Sequence, residues 1–346
     1  MQRKPDRFST LRVVSWLAAC LLMAAVADAS DQTRAERREL DRIERSQRQE
    51  AQALVQLADA AMIGEDVPTD FALAWKNDFL KAQQGTFVPF VVTIDTSHAT
   101  ASEALLYVRA APRAATGPDR NRNDVAPYPF DEIFPIDLTR AQPLRFMRGF
   151  SVAPGDYDVY VAVRERAAAG KERAARKASV LKQPLSVPDF WTGDLTTSTV
   201  ILADRLTTLS GEVPPDRLAE YPYVVGQNDI EPALDTTFRK DEELIAVFLV
   251  YNPTVMADKK FDVQVEYHFF SRRADGESYV NRTEPQRFNA AILGPRFDPA
   301  AGQPLMAGQA IPLGGFQEGN YRLAIRVTDL ISGKSITRDV HFTVGS

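Results

Sequence analysis

The residues able to do acid–base or metal chemistry are few in this chain. Its three histidines are His98, His268 and His341. His268 and His341 fall on the polar faces of alternating apolar and polar segments, which predicts solvent-facing side chains. His98 lies in a loop without a nearby acidic or cysteine ligand, whereas zinc requires three or four convergent ligands. The sequence therefore predicts neither a metal nor a cofactor.

Residues 119–124 match the first half of a calcium-binding loop, because Asp119, Asn121 and Asn123 place oxygen atoms at alternate positions. The second half does not match, because Asp124 stands where the loop requires glycine and Phe130 stands where it requires glutamate. We interpret this segment as a solvated connection. Asp119, Asn121 and Asn123 remain candidate contacts to a partner, because a long polar loop is where binding residues concentrate.

Two short motifs match catalytic patterns by spacing alone. Ser179-Val180-Leu181-Lys182 matches S-x-x-K but falls on a predicted strand and lacks the partner motifs of that enzyme class. Gly333-Lys334-Ser335 matches the end of a phosphate loop, yet it joins two strands instead of opening a helix. The sequence therefore predicts a protein that is not an enzyme.

A repeated strand pattern is the strongest signal of fold. The segment Gly155–Glu165 returns as Gly319–Asp329, and in each copy a tyrosine, Tyr157 or Tyr321, follows a glycine-containing turn. Many immunoglobulin-like sandwiches lock a corner with such a tyrosine, whose hydroxyl reaches backbone. The repeat predicts an all-β fold with two tandem immunoglobulin-like β-sandwiches.

The N-terminus has the pattern of a secretory signal peptide. Basic residues up to Arg12 precede the apolar run Val13–Val26, and Ala27-Asp28-Ala29 supplies a cleavage site before Ser30. The run is shorter than the roughly 17 to 25 residues of a spanning helix. An alternative is lipidation, because the residues ending at Cys20 have the form of a bacterial lipobox.

Composition limits the possible partners. Cys20 is the only cysteine, so a chain cleaved after Ala29 has no disulfide, which fits a bacterial envelope. Cleavage removes four basic side chains from 41 and two acidic ones from 46, leaving a net charge of −7. That balance argues against nucleic acid as a partner. The predicted location is periplasmic or secreted, with lipid anchoring through Cys20 as the alternative.

The predicted domains follow changes in composition along the chain. Residues 1–29 are the signal, and residues 30–66 are a charged helical spacer with a possible weak coiled-coil self-association. Residues 67–210 form the first sandwich, with Leu195–Ala203 as its closing strand. Residues 211–222 are a proline-rich linker and residues 223–346 the second sandwich.

Three aromatic residues at element ends are further candidate contacts. They are Trp75, Phe190 and Trp191. An exposed ring there can stack on a sugar or fill a pocket in a partner. The alternative is that these rings close the ends of the first sandwich.

Several segments resemble a family of exported proteins. Four segments resemble uncharacterised exported proteins of Acidobacteria-type bacteria, namely Trp75–Gln83, Val88–Phe90, Tyr157–Arg166 and Lys177–Phe190. The tail from Gly319 to Val344 is similar to the closing domain of GWxTD-containing and von Willebrand factor A-related proteins, although the GWxTD motif is absent. The resemblance implies an envelope location and immunoglobulin-like modules, and it transfers no catalytic residue.

These observations predict an exported binding or scaffolding protein of the bacterial cell envelope. Its contacts would run through sandwich loops and edge strands to an envelope protein or polysaccharide. A carbohydrate-binding protein that uses Trp75 and Trp191 is the second hypothesis. An enzyme whose site is assembled from distant residues is the third.

Overall fold

The computed structural model describes residues 45–113, 128–166, 175–211, 213–214, 217–294, 297–299 and 302–345. The predicted cleavage site at Ala29 and Ser30, the lipidation candidate Cys20, and the loop residues Asp119, Asn121 and Asn123 lie outside these ranges. Strands dominate the described chain, so the predicted all-β class is confirmed. In the same ranges, no helix combines the length and the hydropathy needed to cross a membrane.

The helical segments and strands divide the described chain into four sheets. A helix, α1, covers residues 45–62, a short helix, α2, spans Ala290–Leu293, and a 3₁₀ turn spans Leu313–Gly315. The first eight strands are β1 (Leu73–Asn77), β2 (Leu80–Lys81), β3 (Thr86–Ile94), β4 (Glu103–Pro112), β5 (Phe130–Asp137), β6 (Leu144–Val152), β7 (Gly155–Glu165) and β8 (Ala178–Val187). The other twelve are β9 (Thr196–Thr197), β10 (Ile201–Thr208), β11 (Val224–Val225), β12 (Asn228–Pro232), β13 (Thr237–Arg239), β14 (Glu243–Tyr251), β15 (Asp262–Arg273), β16 (Gly276–Arg282), β17 (Gln286–Asn289), β18 (Leu305–Pro312), β19 (Gly319–Asp329) and β20 (Ser335–Gly345).

The sheets face each other in two pairs. Sheet 1 has the order β5-β4-β7-β8, and sheet 2 contains β1, β3 and β2 with β6 on the other side of β3. Sheet 3 has the order β11-β12-β10-β14-β18, with β9 also on β14. Sheet 4 has the order β13-β20-β19-β15-β16, with β17 also on β15. Apolar cores fill the space between sheets 1 and 2 and between sheets 3 and 4.

Both copies of the repeated pattern form the predicted corner. The Tyr157 hydroxyl donates to the Ala153 carbonyl at 2.9 Å, and the Tyr321 hydroxyl donates to the Gln317 carbonyl at 2.7 Å. Each acceptor lies four residues upstream of its tyrosine, just before β7 or β19 begins. The tyrosine corner predicted from the repeat is therefore confirmed at both positions.

The second copy lies in sheet 4, where β15 alternates between buried and half-buried residues. Along β15, Val263, Val265, Tyr267 and Phe269 are buried while the residues between them are half-buried. The final hairpin pairs β19 with β20 and places Tyr321 opposite Phe342. Period-two patterning in this part of the chain thus corresponds to strands with one buried face.

Helix α1 packs on the outer face of sheet 1. Leu54 and Ala58 are fully buried against Tyr107 and Tyr160, which project from β4 and β7. This second covering explains why β7 is buried on both faces. The predicted helix is present over residues 45–62, but the same chain covers its apolar side, so this part of the helix is not a solvated spacer. Coiled-coil self-association stays a prediction.

Ion pairs fasten α1 near both ends of its described length. Glu50 lies 3.2 Å from Arg166 and 3.2 Å from Arg176, and Asp59 lies 2.5 Å from Arg109. Glu50 and Arg109 are both buried, so each needs its partner to offset the loss of hydration. Glu50 thus lies on the buried side of the helix because it pairs with Arg166 and Arg176.

The two sheet pairs pack face to face, with sheet 2 against sheet 3. Leu80 and Val91 of sheet 2 share a buried cluster with Ile201, Val247 and Leu249 of sheet 3. The stack therefore runs from α1 through sheets 1, 2 and 3 to sheet 4. Since sheet 3 turns one face to each neighbour, β14 is apolar along nearly its whole length.

One strand assignment is wrong. The segment Leu195–Ala203 was predicted to close the first sandwich, but its strands β9 and β10 pair with β14 in sheet 3. Pairing with β14 buries Ile201 and Ala203 of this segment in the contact between sheets 2 and 3. The full set of predicted domain boundaries stays a prediction.

A carboxyl group is buried in the contact between sheets 2 and 3. Asp78 is 4% exposed, and one of its oxygens accepts a hydrogen bond from the hydroxyl of the equally buried Tyr223 at 3.1 Å. Burial raises the pKa of Asp78, although the charge of Lys76 and hydrogen bonds from Tyr223 and Thr199 act in the opposite direction. Burial also raises the pKa of Tyr223.

We expect the corner hydrogen bond to be measurable by removing one hydroxyl. Tyr157→Phe should lower the free energy of unfolding by about 1 kcal/mol, because the Ala153 carbonyl loses its hydrogen bond from the tyrosine hydroxyl. Tyr160→Phe is the matched control, since the Tyr160 hydroxyl is buried and finds no hydrogen-bond partner in the described chain. Urea unfolding of both variants tests this. An equal loss in the two variants would contradict the corner as a stabilising contact.

We expect Asp78 to make stability depend on pH. Because its pKa is raised by folding, its contribution is complete below the unfolded value of about 3.9 and is lost as pH rises through the folded pKa. The wild type should therefore lose thermal stability relative to Asp78→Asn as pH rises. Asp137→Asn is the control with the opposite sign, because hydrogen bonds from Thr139 lower the pKa of Asp137. Parallel melting curves across pH for wild type and Asp78→Asn would refute the expectation.

Candidate functional site

The residues of the catalytic motifs have structural roles. The Ser179 hydroxyl is buried, donates to the Phe71 carbonyl at 3.0 Å and accepts from the Phe71 N–H at 2.6 Å. Lys182 lies 3.2 Å from Asp158 instead. Gly333 and Lys334 form the turn between β19 and β20, where Lys334 lies 3.1 Å from Asp194.

No three histidine, cysteine or acidic side chains converge as metal ligands within the part of the chain that the structure describes. His98 and His341 are exposed, and His268 is half-buried with its ring 6.3 Å from that of Tyr279. Each histidine thus lies at a different place on the surface. Exposed apolar side chains and unpaired strand edges are the remaining candidate contact surfaces.

Two of the three candidate aromatic contacts are packed inside the protein. The Trp75 ring is half-buried and stacks on Phe90 at 4.4 Å, so it belongs to the first core. Phe190 is 3% exposed and packs 5.3 Å from the Tyr251 ring, in the contact between the sheet pairs. The prediction of Phe190 as a partner contact is wrong, because sheet 3 covers it. Trp75 offers a partner only part of its edge.

Trp191 is exposed and held in place. Half of its surface, 51%, is accessible to solvent. Its ring nitrogen donates to the Gly85 carbonyl at 3.0 Å, and the Lys81 ammonium lies 4.2 Å from the ring centre. We call Trp191 together with Lys81 the Trp191 platform. Because Lys81 also donates to Asn252 at 3.0 Å, this platform contacts both sheet pairs. A fixed ring beside a donor suits a flat ligand.

The second surface is a β-hairpin at the edge of sheet 4, which we call the edge hairpin (Phe270–Arg282). All seven residues of β16 are exposed, and β16 pairs only with β15 among the described strands. Tyr279 is 56% exposed and Val280 44%. The register shifts between Phe269 and Phe270, so Val280 is the additional residue of a β-bulge. The outer backbone edge is open to solvent.

Charged and aromatic contacts hold the edge hairpin against β19. The Arg322 guanidinium lies 2.8 Å from Glu277 and 4.3 Å from the centre of the Phe270 ring. The Tyr279 ring meets Phe270 edge-on at 5.6 Å. Hydrogen bonds from Arg322 lower the pKa of Glu277, so this carboxylate stays charged at neutral pH. The hairpin is thus ordered before any partner binds.

The exposure of β16 is not evident from the sequence alone. The available signal was the pair Tyr279 and Val280 inside an otherwise polar strand. A pair of apolar residues in one strand also fits a half-buried interior strand, so only the position of β16 in sheet 4 identifies it as an edge.

Comparisons with known proteins give only distant similarity. The sequence matches no protein-family model, and a search of curated proteins finds no match. Among solved structures, a DUF4785 family protein from Legionella pneumophila is 9% identical with a TM-score of 0.24, over 80% of this chain and 57% of that one. Trypsin-activated alpha-2-macroglobulin from Escherichia coli is 13% identical with a TM-score of 0.22, over 81% of this chain and 17% of that one. A Salmonella alpha-2-macroglobulin reacted with methylamine is 14% identical with a TM-score of 0.19.

This chain thus spans less than two thirds of the length of these solved proteins. Similarity at such TM-scores supports no argument about function. The resemblance to exported GWxTD-containing and von Willebrand factor A-related proteins stays a prediction.

We expect the two tryptophans of residues 30–346 to differ in fluorescence. Trp191→Phe leaves Trp75, which should emit at shorter wavelength and be quenched weakly by acrylamide because it is half-buried. Trp75→Phe leaves Trp191, which should emit at longer wavelength and be quenched strongly. Equal quenching of the two variants would contradict the exposed platform at Trp191.

Proposed function

We propose that this chain is a non-catalytic exported protein of the bacterial cell envelope that binds or scaffolds a partner protein through an exposed strand edge. The edge hairpin carries the proposal, because β16 is an ordered strand whose seven residues are all exposed. The signal-like N-terminus and the absence of a complete catalytic motif in the sequence support export and a non-catalytic role.

An open strand edge is a binding template. Its free N–H and C=O groups accept another extended chain, and side chains on alternate positions select which chain binds. Tyr279 and Val280 supply apolar contacts on the edge hairpin, and tyrosine is among the residues that contribute most to binding energy at interfaces. A partner strand there would cover both side chains.

The rigid stack supports a scaffolding role. The contact between sheets 2 and 3 contains ten buried apolar side chains and the Asp78–Tyr223 hydrogen bond. The Lys81 backbone N–H also donates to the Tyr251 hydroxyl at 3.0 Å across this contact. A partner on sheet 4 and a partner on sheet 1 would therefore be held at a fixed separation.

Carbohydrate binding at Trp191 is the second candidate function. The ring is 51% exposed, and its nitrogen and the neighbouring Lys81 are already fixed. A sugar stacks its apolar face on such a ring. Trp75, the other residue predicted for this role, lies in the first core. Quenching of Trp191 fluorescence by an envelope glycan, lost in Trp191→Ala, would favour this function.

Site-dependent capture tests the first proposal. Residues 30–346 are immobilised and exposed to crosslinked envelope extract of the producing organism, and bound protein and saccharide are measured together. We expect one stoichiometric protein to bind the wild type and to bind Tyr279→Ser roughly ten-fold more weakly, since truncating an interface aromatic costs about 1 to 2 kcal/mol. Val280→Lys should have a similar effect, because it places a charge in the interface.

Trp191→Ser is the matched control, since it removes an equally exposed aromatic ring from another surface. It should capture the same protein as the wild type. Capture that survives both hairpin variants would refute the edge hairpin as the binding site. Enriched glycan that is lost only in Trp191→Ser would replace the first proposal by the second.

A further inference from the structure

The open side of the first sheet pair forms a groove between the edges of β5 and β6. Its wall includes four arginines, Arg140, Arg145, Arg148 and Arg166. Three of them pair with carboxylates, namely Arg140 with Asp137 at 3.6 Å, Arg145 with Asp204 at 3.7 Å and Arg166 with Glu103 at 3.0 Å. The acidic residue Glu220 in the same wall pairs with Arg217 at 3.1 Å. Arg148 is different.

Arg148 is held by aromatic rings instead of by a carboxylate. Its guanidinium lies 5.5 Å from the Phe134 ring centre and 5.1 Å from that of Phe146. Its only hydrogen bond in the described chain goes to the Met147 carbonyl, at 3.0 Å. No carboxylate among the described residues lies within ion-pair distance. Ring faces orient a guanidinium, yet its fork of N–H donors stays available to a carboxylate.

The backbone beside Arg148 is an open strand edge. β6 pairs with β3 on one side, and on the other side the Gly149 N–H bonds the Ala219 carbonyl at 3.2 Å. Backbone groups of alternate residues in a strand point to the same side, so Arg145 and Met147 also turn their N–H and C=O groups away from β3. Met147 is 40% exposed there. The Met147 carbonyl already accepts from the Arg148 side chain, but in the described chain the outward N–H groups of Arg145 and Met147 remain open to an extended chain.

We propose that the groove between β5 and β6 binds an extended peptide that carries an aspartate or glutamate side chain. The peptide adds as a strand to β6 at Arg145–Met147, and its carboxylate pairs with Arg148. The occupant is an acidic peptide because the groove offers a backbone edge together with one cation that the described chain leaves without a carboxylate. This site is in sheets 1 and 2 and is independent of the edge hairpin in sheet 4.

Fluorescence polarisation with defined peptides tests the proposal. The probe is a fluorescein-labelled octapeptide of alternating glutamate and valine, added to residues 30–346 at low salt. We expect saturable binding that weakens at least ten-fold in Arg148→Gln and is partly kept in Arg148→Lys. The corresponding glutamine–valine peptide should bind at least ten-fold more weakly to the wild type.

Two further variants separate the carboxylate from the strand edge. Met147→Pro removes an outward N–H at an edge position where proline is tolerated, so it should weaken binding while the β3–β6 pairing remains. Arg140→Gln is the matched control, because Arg140 lines the same groove but is paired with Asp137. It should bind the peptide like the wild type. Melting curves identify any variant that fails to fold.

Absence of saturable binding would overturn the proposal, as would equal affinity of wild type and Arg148→Gln. An N-methylated glutamate–valine peptide that binds as tightly as the unmodified one would exclude strand addition. Oligogalacturonate that competes with the same dependence on Arg148, at equal carboxylate concentration, would show that the groove recognises an acidic sugar and not a peptide. None of these results affects capture at the edge hairpin.

Discussion

The packing of sheet 2 on sheet 3 is the contact on which the rest of this structure depends. Most two-sheet structures leave the outer face of each sheet to water, but here Val91 and Val247 make both of these outer faces apolar. Neither sheet pair can expose such a face, so the pairs are stable together and fix each other's orientation. The Asp78 carboxyl buried in this contact needs the Tyr223 hydroxyl, because an unpaired polar group there costs several times a normal hydrogen bond.

Patterns that depend on local geometry were predictable from the sequence. The repeated glycine turn and tyrosine gave both corners, since the acceptor lies four residues from Tyr157 and Tyr321. The alternation along β15 gave its buried face. Such patterns did not predict which element covers the second face of a strand. A run such as Leu244–Tyr251 shows that both faces of a strand are buried, but it does not show whether a helix, a sheet or another domain covers them.

Helix α1 and the aromatic candidates illustrate the same limit. Glu50 interrupts the apolar seam of the helix, which argues against burial until Arg166 and Arg176 are seen beside it. Phe190 and Trp191 are adjacent in sequence, yet one is 3% exposed and the other 51%. The chain direction after β8 decides which ring turns toward sheet 3. Neither exposure of an aromatic ring nor the edge position of a strand is recorded in local sequence, because both depend on pairing between distant strands.

Both faces of sheets 1, 2 and 3 are covered, which leaves strand edges and the outer face of sheet 4 as surfaces that can recognise a partner. At the edge hairpin the charges are satisfied internally, because Glu277 already pairs with Arg322, so selectivity there must come from the shape and apolar area of Tyr279 and Val280. At the β6 edge a charge is available to a partner, because aromatic rings orient Arg148 and no carboxylate of the described chain pairs with it. A neutral strand and an acidic strand would therefore be sorted to opposite ends of the same stack, which suits a protein that holds two different segments at once.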